Sequence, residues 1–419
     1  MTKTPPQLKD YEPIIGRDAV EEIKALAEAL RGSSVIHVNA TAEGGGVAEI
    51  LHRFNPLMNS LGLNSDWRIL TGTDEFFMIT KSMHNALQGE PIEFTEQMFR
   101  LYLKINQENA ERLSPLDADF IIIHDPQPAA FVKMRRGKDL GKWIWRCHID
   151  LSTSREDVWG FLKPFIEQYD ATIFHTARFC DPRLPVPQFL IPPSIDPLSP
   201  KNQDLSQETI ERVLQQFDIP LEKPIITQVS RFDKWKDPRG VIQAYRRVKE
   251  SIDCQLVLAG GFATDDPEGK PMFEELSKIA QTDKDIHLLN LPPFSDVEIN
   301  AFQRASAVVV QKSLKEGFGL TVTEALWKKK PIIGGAVGGI PLQVRHGITG
   351  FLVHSIEGAA YHIKLLLRHP ELAKQLGENG YHHVKQNFLL TRHLRNYLAL
   401  MLVVRENSKT KSITLHNNY

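Results

Sequence analysis

The stretch SAVVVQKSLKEGFGLTVTEALWKKKPIIGGA, residues 306–336, contains a strand, a loop, a helix and a second strand in succession. SAVVVQKS (306–313) and PIIGGA (331–336) are short apolar runs of the kind that form strands buried on both faces. Between them LKEGFG turns on two glycines, and LTVTEALWKKK has the composition and length of a helix. A strand, helix and strand in this order form the repeating unit of a parallel sheet.

The same alternation extends in both directions. On the C-terminal side, PIITQVS (224–230), CQLVLAGG (254–261), DIHLLNLP (285–292) and GFLV (350–353) read as further strands. Helices are expected near 240–251, 272–281, 297–305, 321–330 and 356–368. On the N-terminal side the strands are SVIHVNA (34–40), WRIL (67–70), DFIIIHD (119–125), KWIWRCHI (142–149), ATIFHT (171–176) and QFLIPP (188–193). The Pro- and Ser-rich stretch IPPSIDPLSPKNQDLSQ (191–207) reads as an inter-domain linker. From Pro370 to about Asn407 the period is helical, and the last dozen residues are polar and read as frayed. The expected class is α/β, with two doubly wound, Rossmann-like domains facing a central cleft. In such sheets ligands bind beyond the carboxyl ends of the strands.

Bulk properties narrow the function. At roughly 100–200 residues per domain, 419 residues make two or three domains. Lys+Arg is 50 and Asp+Glu is 51, so no basic excess points to nucleic acid. Cys147, Cys180 and Cys254 are widely spaced, which suits neither a disulfide framework nor a zinc site. The N-terminus lacks the apolar core of a secretory signal, and no apolar run is long enough for a membrane helix. A cytoplasmic protein without a membrane partner is the expectation.

The chemistry-bearing residues follow strands. Gly44, Gly45 and Gly46 lie between a strand and a helix, where they suit either a tight turn or the close approach of a phosphate. They do not form the dinucleotide pattern, so a nicotinamide site is not expected. In SRFDKWKDP, Arg231 and Lys236 supply two cations at a strand end, suited to a diphosphate or simply solvated. The loop holding Glu316, Gly317, Phe318 and Gly319 leads into a helix starting at Leu320 and Thr321, with Glu324 about one turn in. Glu316 and Glu324 are candidates for a glycosidase pair, but carboxylates beside phosphate-binding loops are better suited to sugar or ribose hydroxyls. Lys328, Lys329 and Lys330 suit the negative end of that helix and are expected to bind nothing. GGAVGGIP (334–341) reads as either a flexible turn or a donor contact. His124 and Asp125, and His148 and Asp150, lie at two strand ends, without the spacing of a known metal motif.

These residues carry a resemblance. EGFGLTVTEAL resembles the E-x7-E motif of retaining GT-B glycosyltransferases of family 4, and SRFDKWK resembles their Arg/Lys diphosphate motif. GGGVAEILH, HNALQG, HDPQPAA, WRCHIDLS, PPSIDPLS, DDPEG and NAFQRAS extend the likeness, in order, to the trehalose-forming members over about residues 10 to 405. The resemblance implies an acceptor-side domain at 1–195, completed by a C-terminal helix at 389–410, and a nucleotide-sugar domain at 196–388. It implies transfer of glucose from ADP-, UDP- or GDP-glucose to free glucose, reversibly, to give α,α-trehalose. A phosphorylase using glucose 1-phosphate and another family-4 sugar transferase remain alternatives. By the same resemblance Arg231 and Lys236 neutralise the diphosphate, helped by backbone N–H groups from Gly319 to Thr321. Glu316 accepts from the donor glucose and Glu324 holds the ribose. His148 touches the donor sugar, Gly45 and Gly46 border acceptor and phosphates, and Asp125 and Gln127 face the acceptor. No cofactor is required, Mg2+ is neither demanded nor forbidden, and related enzymes suggest a homodimer. One departure is Asp237, which stands where the family pattern has Gly and puts an acid beside Lys236.

Overall fold

The computed structural model describes residues 5–42, 45–135, 137, 141–261, 269–406 and 412–414. Gly44, residues 265–268 of DDPEG, and 407–410 at the end of the expected C-terminal helix lie outside the described residues. The chain forms two compact units, Met1–Pro193 with Leu390–Tyr419, and Ser194–Leu389.

The first unit holds β1 (Ser34–Asn39), β2 (Asn64–Ile69), β3 (Phe120–His124), β4 (Lys142–Arg146), β5 (Ala171–Phe174) and β6 (Gln188–Leu190). The second holds β7 (Ile225–Val229), β8 (Gln255–Gly260), β9 (Ile286–Asn290), β10 (Val308–Gln311), β11 (Ile332–Gly335) and β12 (Gly350–Val353). All twelve runs read as strands in the sequence are therefore strands. A thirteenth strand, β13 (Ser412–Thr414), pairs in parallel with β6. At these three residues that corrects the expectation of a frayed tail: Ser-Ile-Thr is suited to an extended backbone, and the edge of β6 offers unpaired ladder groups.

Both sheets are parallel. The first runs β13-β6-β5-β4-β3-β1-β2 and the second β12-β11-β10-β7-β8-β9. Burial explains their composition, since β3, β7 and β8 are buried at every position. In each sheet the strand order reverses once, between β1 and β3 in the first and between β7 and β10 in the second. The loops leaving such a reversal diverge to opposite faces and open a crevice between them.

Two other expectations change. The helical tail is two helices, Pro370–Asn387 and Leu390–Glu406, broken at Phe388–Leu389, where the chain passes from the second unit to the first. Most of the stretch read as a linker packs inside the second unit, where Ser194, Ile195, Asp196, Ser199 and Asn202 are buried. Its polar side chains mislead because internal hydrogen bonds satisfy many of them: Asn202 Nδ2, for example, donates to Asp196 O at 3.0 Å. Among the described residues no helix is long and apolar enough to cross a membrane.

Gly260 closes β8 where a Cβ would lie 1.8 Å from Ser230 O. Gly260→Ala should therefore displace the end of β7, costing about 1–3 kcal/mol as overpacking does. A urea midpoint equal to that of the wild type would contradict this packing.

Candidate active site

In the second unit the reversal point brings together the residues after β7 and β10. Asp233 is buried, and its Oδ1 accepts from the backbone N–H of Trp235 at 2.9 Å and of Lys236 at 3.1 Å. Those bonds fix a single tight turn, Lys234–Lys236, and Gln228 Nε2 donates to Lys236 O at 2.7 Å. The turn aims Lys236 at the end of β10, where its Nζ meets Glu316 Oε2 at 2.6 Å. Ser313 Oγ donates to the same oxygen at 3.2 Å. Leu314 N donates to Trp235 O at 2.7 Å, lacing the two loops together. Arg231 is more exposed, with its guanidinium 3.8 Å from Asp233 Oδ2.

Asp237 explains its own departure from the family pattern. Its φ is +50°, the left-handed region that favours Gly and that Asp tolerates better than most residues. Its carboxylate is turned away from the preceding lysine. Oδ1 accepts from Gly240 N at 3.1 Å, capping the helix Pro238–Lys249, and Oδ2 pairs with Lys312 Nζ. Lys236 pairs with Glu316 instead.

Gly319, at φ +83°, starts the helix Leu320–Trp327. Its first N–H groups have no carbonyl within the helix to bind, as at any helix start. The GGAVGGIP loop backs this turn closely: a Cβ on Gly338 would meet Glu316 O at 1.6 Å, and Gly339 N donates to Gly317 O at 3.1 Å. Gln343 Nε2 adds a bond to Phe318 O at 2.6 Å. The loop is a scaffold for the EGFG turn, which the reading as a flexible turn missed.

Glu324 is 1% exposed, with Gln303 Nε2 at 3.1 Å from one oxygen and Lys201 Nζ at 3.9 Å from the other. Thr321 Oγ1, nearby on the same helix, donates to Gln311 Oε1 at 3.4 Å. The lysines at the helix end do more than face its dipole. Lys328 is buried and donates to Gln303 Oε1 at 2.7 Å, to Asn202 Oδ1 at 3.0 Å and to Glu324 O at 3.3 Å. Burial, with Arg304 nearby, pulls the Lys330 amine down to about 8. Only Lys329 is exposed, 3.1 Å from Glu378.

In the first unit Gly45, Asp125 and His148 follow β1, β3 and β4. Gly45 precedes the helix Gly46–Ser60, and a Cβ there would meet nothing within 4 Å, so close packing does not dictate glycine. Asp125 has φ +66°, and its Oδ1 accepts from His148 N at 2.7 Å. Burial raises its carboxyl to about 7, against the opposing pull of that N–H and of Arg146. Gln127 Oε1 is buried with no hydrogen-bond partner. Beyond the end of β4 at Arg146, Asp150 Oδ1 accepts from Ser152 N at 2.9 Å in a local turn.

Sequence reading missed Lys201, Gln303, Lys328 and Ser313, which hold the two glutamates. It also missed His175, His393 and Arg146, which lie near His148, and His37, which reaches it through His124. A small cavity is lined by His37, His124, His148, His393 and Tyr397 together with apolar side chains of the helix Gly46–Ser60. No sequence spacing marks these residues, since the sheet and the helix Leu390–Glu406 bring them together only in the fold. Among the described residues no group of three His, Cys, Asp or Glu side chains is arranged to hold a metal ion.

Two family models match the chain. Residues 37–181 match "Trehalose synthase, N-terminal domain", and residues 209–383 match "Glycosyl transferases group 1". The chain is 49% identical over 399 residues to a trehalose synthase of Thermococcus litoralis, covering 94% of this chain and 96% of that protein. It is 26% identical to a trehalose phosphorylase of Pleurotus pulmonarius, covering 96% of this chain but 62% of the phosphorylase. Among solved structures, the Escherichia coli protein described as "Trehalose-6-phosphate from E. coli bound with UDP-2-fluoro glucose" superposes with a TM-score of 0.72 at 13% identity. That match covers 90% of this chain and 99% of that one, and shows a shared GT-B fold.

Two measurements test the electrostatics. Asp237→Asn keeps the cap and the tolerance of positive φ but leaves Lys312, 6% exposed, without its counter-charge. A double-mutant cycle with Lys312→Met should give a coupling of roughly 1–3 kcal/mol by urea unfolding, and zero coupling would contradict the pair. For Asp125, the folded pKa of about 7 lies above the ordinary 3.8. Between these values the native state keeps a proton that the unfolded chain has released, so this group costs stability as pH rises. Asp125→Asn should gain on the wild type by roughly 2–4 kcal/mol from about pH 4 to 7. Parallel pH profiles of stability would contradict the raised pKa.

Proposed function

The chain belongs to the trehalose synthase family of group 1 glycosyl transferases, and on that footing we propose that it joins glucose from a nucleotide-glucose to free glucose. The donor is ADP-, UDP- or GDP-glucose, the products are α,α-trehalose and a nucleoside diphosphate, and the reaction is reversible. The observation that carries this reading is the Lys236–Glu316 pair at 2.6 Å, set beside Arg231 and the start of the helix Leu320–Trp327. A cation held by a carboxylate at a strand-end crevice is poised to receive a diphosphate, and the carboxylate it then shares can accept from a sugar hydroxyl.

In the proposed reaction the bond from glucose C1 to the diphosphate oxygen breaks, and the bonding electrons leave with the diphosphate. Arg231, Lys236 and the N–H groups from Gly319 to Thr321 stabilise the charge that develops there. The anomeric hydroxyl of the acceptor attacks C1 on the same face, and its proton passes to the departing phosphate oxygen. The configuration is retained without a protein nucleophile. Glu316 accepts hydrogen bonds from the donor glucose and Glu324 from the ribose. Gly45 and Gly46 leave room for acceptor and phosphate, Asp125 and Gln127 hold the acceptor, and His148 meets the donor sugar. The unpartnered Gln127 Oε1 and the open space at Gly45 support that assignment.

The reading is tested by incubating the protein with glucose and each nucleotide-glucose in turn, and identifying the products. A disaccharide with a nucleoside diphosphate is expected from at least one donor. Disaccharide made only from glucose 1-phosphate, with inorganic phosphate released, would replace the reading with the phosphorylase; no disaccharide from any mixture would end it. Separately, Glu324→Gln should weaken nucleotide binding about tenfold, or ~1.4 kcal/mol, in a calorimetric titration. Unchanged affinity would remove Glu324 from the ribose.

A further inference from the structure

Histidines 37, 124, 148 and 175 come from separate parts of the chain: His37 lies in β1, His124 ends β3, and His148 and His175 follow β4 and β5. These strands are adjacent in the sheet in the order β1, β3, β4, β5, so the rings form a row across it. His37 Nδ1 is 3.0 Å from His124 Nε2, His124 Nδ1 is 3.1 Å from His148 Nε2, and His148 Nδ1 is 3.3 Å from His175 Nε2. Each bond enters a middle ring at one nitrogen, and the next leaves from the other.

A neutral imidazole carries one N–H and one bare nitrogen. In a row wired this way the choice at one ring fixes the others, leaving two arrangements: every ring Nδ1–H, or every ring Nε2–H. The inner end breaks the tie. His37 Nε2 is buried with no hydrogen-bond partner. A proton there would make an orphaned buried donor, the rarer and costlier defect. The proton therefore belongs on His37 Nδ1, which donates to His124 and sets every later ring to Nδ1–H.

Around His37, His124 and His148 the surroundings favour uncharged rings. Arg146 of β4 is fully buried, and its Nε and Nη2 have no partners. Asp125 and Cys147 flank the row, and His393 and Tyr397 of the helix Leu390–Glu406 lie against it. Burial lowers His37 to about 3, and burial with Arg146 and the neighbouring imidazoles drives His124 and His148 well below 6.5.

We infer that this row acts as one unit, in which His37, His124 and His175 are positioning residues that fix His148 as the Nδ1–H tautomer with a bare Nε2. The consequence rests on the proposed role of His148 at the donor sugar. Both of its nitrogens are already engaged, so a sugar hydroxyl binds only by replacing one imidazole partner. In place of His175 the hydroxyl must accept from Nδ1–H; in place of His124 it must donate to Nε2. Buried His37 thus dictates the hydrogen-bonding sense of a ring two positions along the row.

The test is nitrogen NMR of the full chain labelled at its 15 histidines, with signals assigned by single substitutions. His37, His124 and His148 should all be neutral Nδ1–H tautomers from about pH 5.5 to 8. His37→Leu should let His148 take up the Nε2–H form and lower kcat about tenfold with KM for the donor little changed, about 1.4 kcal/mol in the transition state. His37→Asn, which keeps a donor near the Nδ1 position, should restore both. An Nε2–H form at His148 in the wild type, titration of His37, His124 or His148 in that range, or an unchanged His148 tautomer in His37→Leu would overturn the inference. Should His37→Leu fail to fold, the wild-type spectrum decides alone. Because the tautomers are read without substrate, failure of the row is distinguishable from failure of the proposed reaction.

Discussion

The ion pair between Lys236 and Glu316 ties together the two strand ends at which the second sheet reverses its order. Much of the surrounding loop structure serves that contact. Asp233 builds the turn that presents the lysine, Ser313 shares the carboxylate oxygen, and Gly338 lets a supporting loop press against the Glu316 backbone. The pair is largely withdrawn from water, with side-chain exposures of 17% and 8%. A half-buried pair of this kind is not in itself a source of much stability, because desolvation offsets the attraction. Its value is positional: a lysine with one carboxylate partner is held in place, and an arriving diphosphate gives it a stronger one.

The same economy appears in the buried polar groups elsewhere. Glu324 is withdrawn from solvent but retained by Gln303 and Lys201, with Lys328 bracing Gln303 from behind. Asp237 occupies a backbone conformation suited to glycine and uses its carboxylate twice, as helix cap and as partner for Lys312. The acid therefore does not compete for Lys236.

The fold was legible because a strand buried on both faces must be apolar along its length, so most strands through Val353 announce themselves, while β2, half-exposed, shows only its Trp67–Ile69 end. The end-of-strand rule then located the loops holding Arg231, Lys236, Glu316 and Asp125. What escaped was whatever depends on neighbours distant in sequence. Lys201 sits in a Pro- and Ser-rich stretch that reads as a linker, and only folding places it beside Glu324. Lys328 looks like one of three helix-end lysines until the packing shows it buried. His37, His124, His148 and His175 are single residues in four unrelated stretches, and only the order of the strands makes them a row. β13 escaped because three residues at a sheet edge carry too little apolar pattern to stand out from a polar tail.

The central claim is that Lys236, held by Glu316, binds the phosphates of the leaving group. Phosphorus NMR of a nucleoside diphosphate bound to the wild type and to Lys236→Ala, each at saturation, tests it most directly. The expected result is that binding shifts the phosphorus resonances in the wild type and that Lys236→Ala loses most of the shift while the nucleotide still binds. Identical bound shifts in the two proteins would mean that the lysine never touches the phosphates, and would contradict the claim.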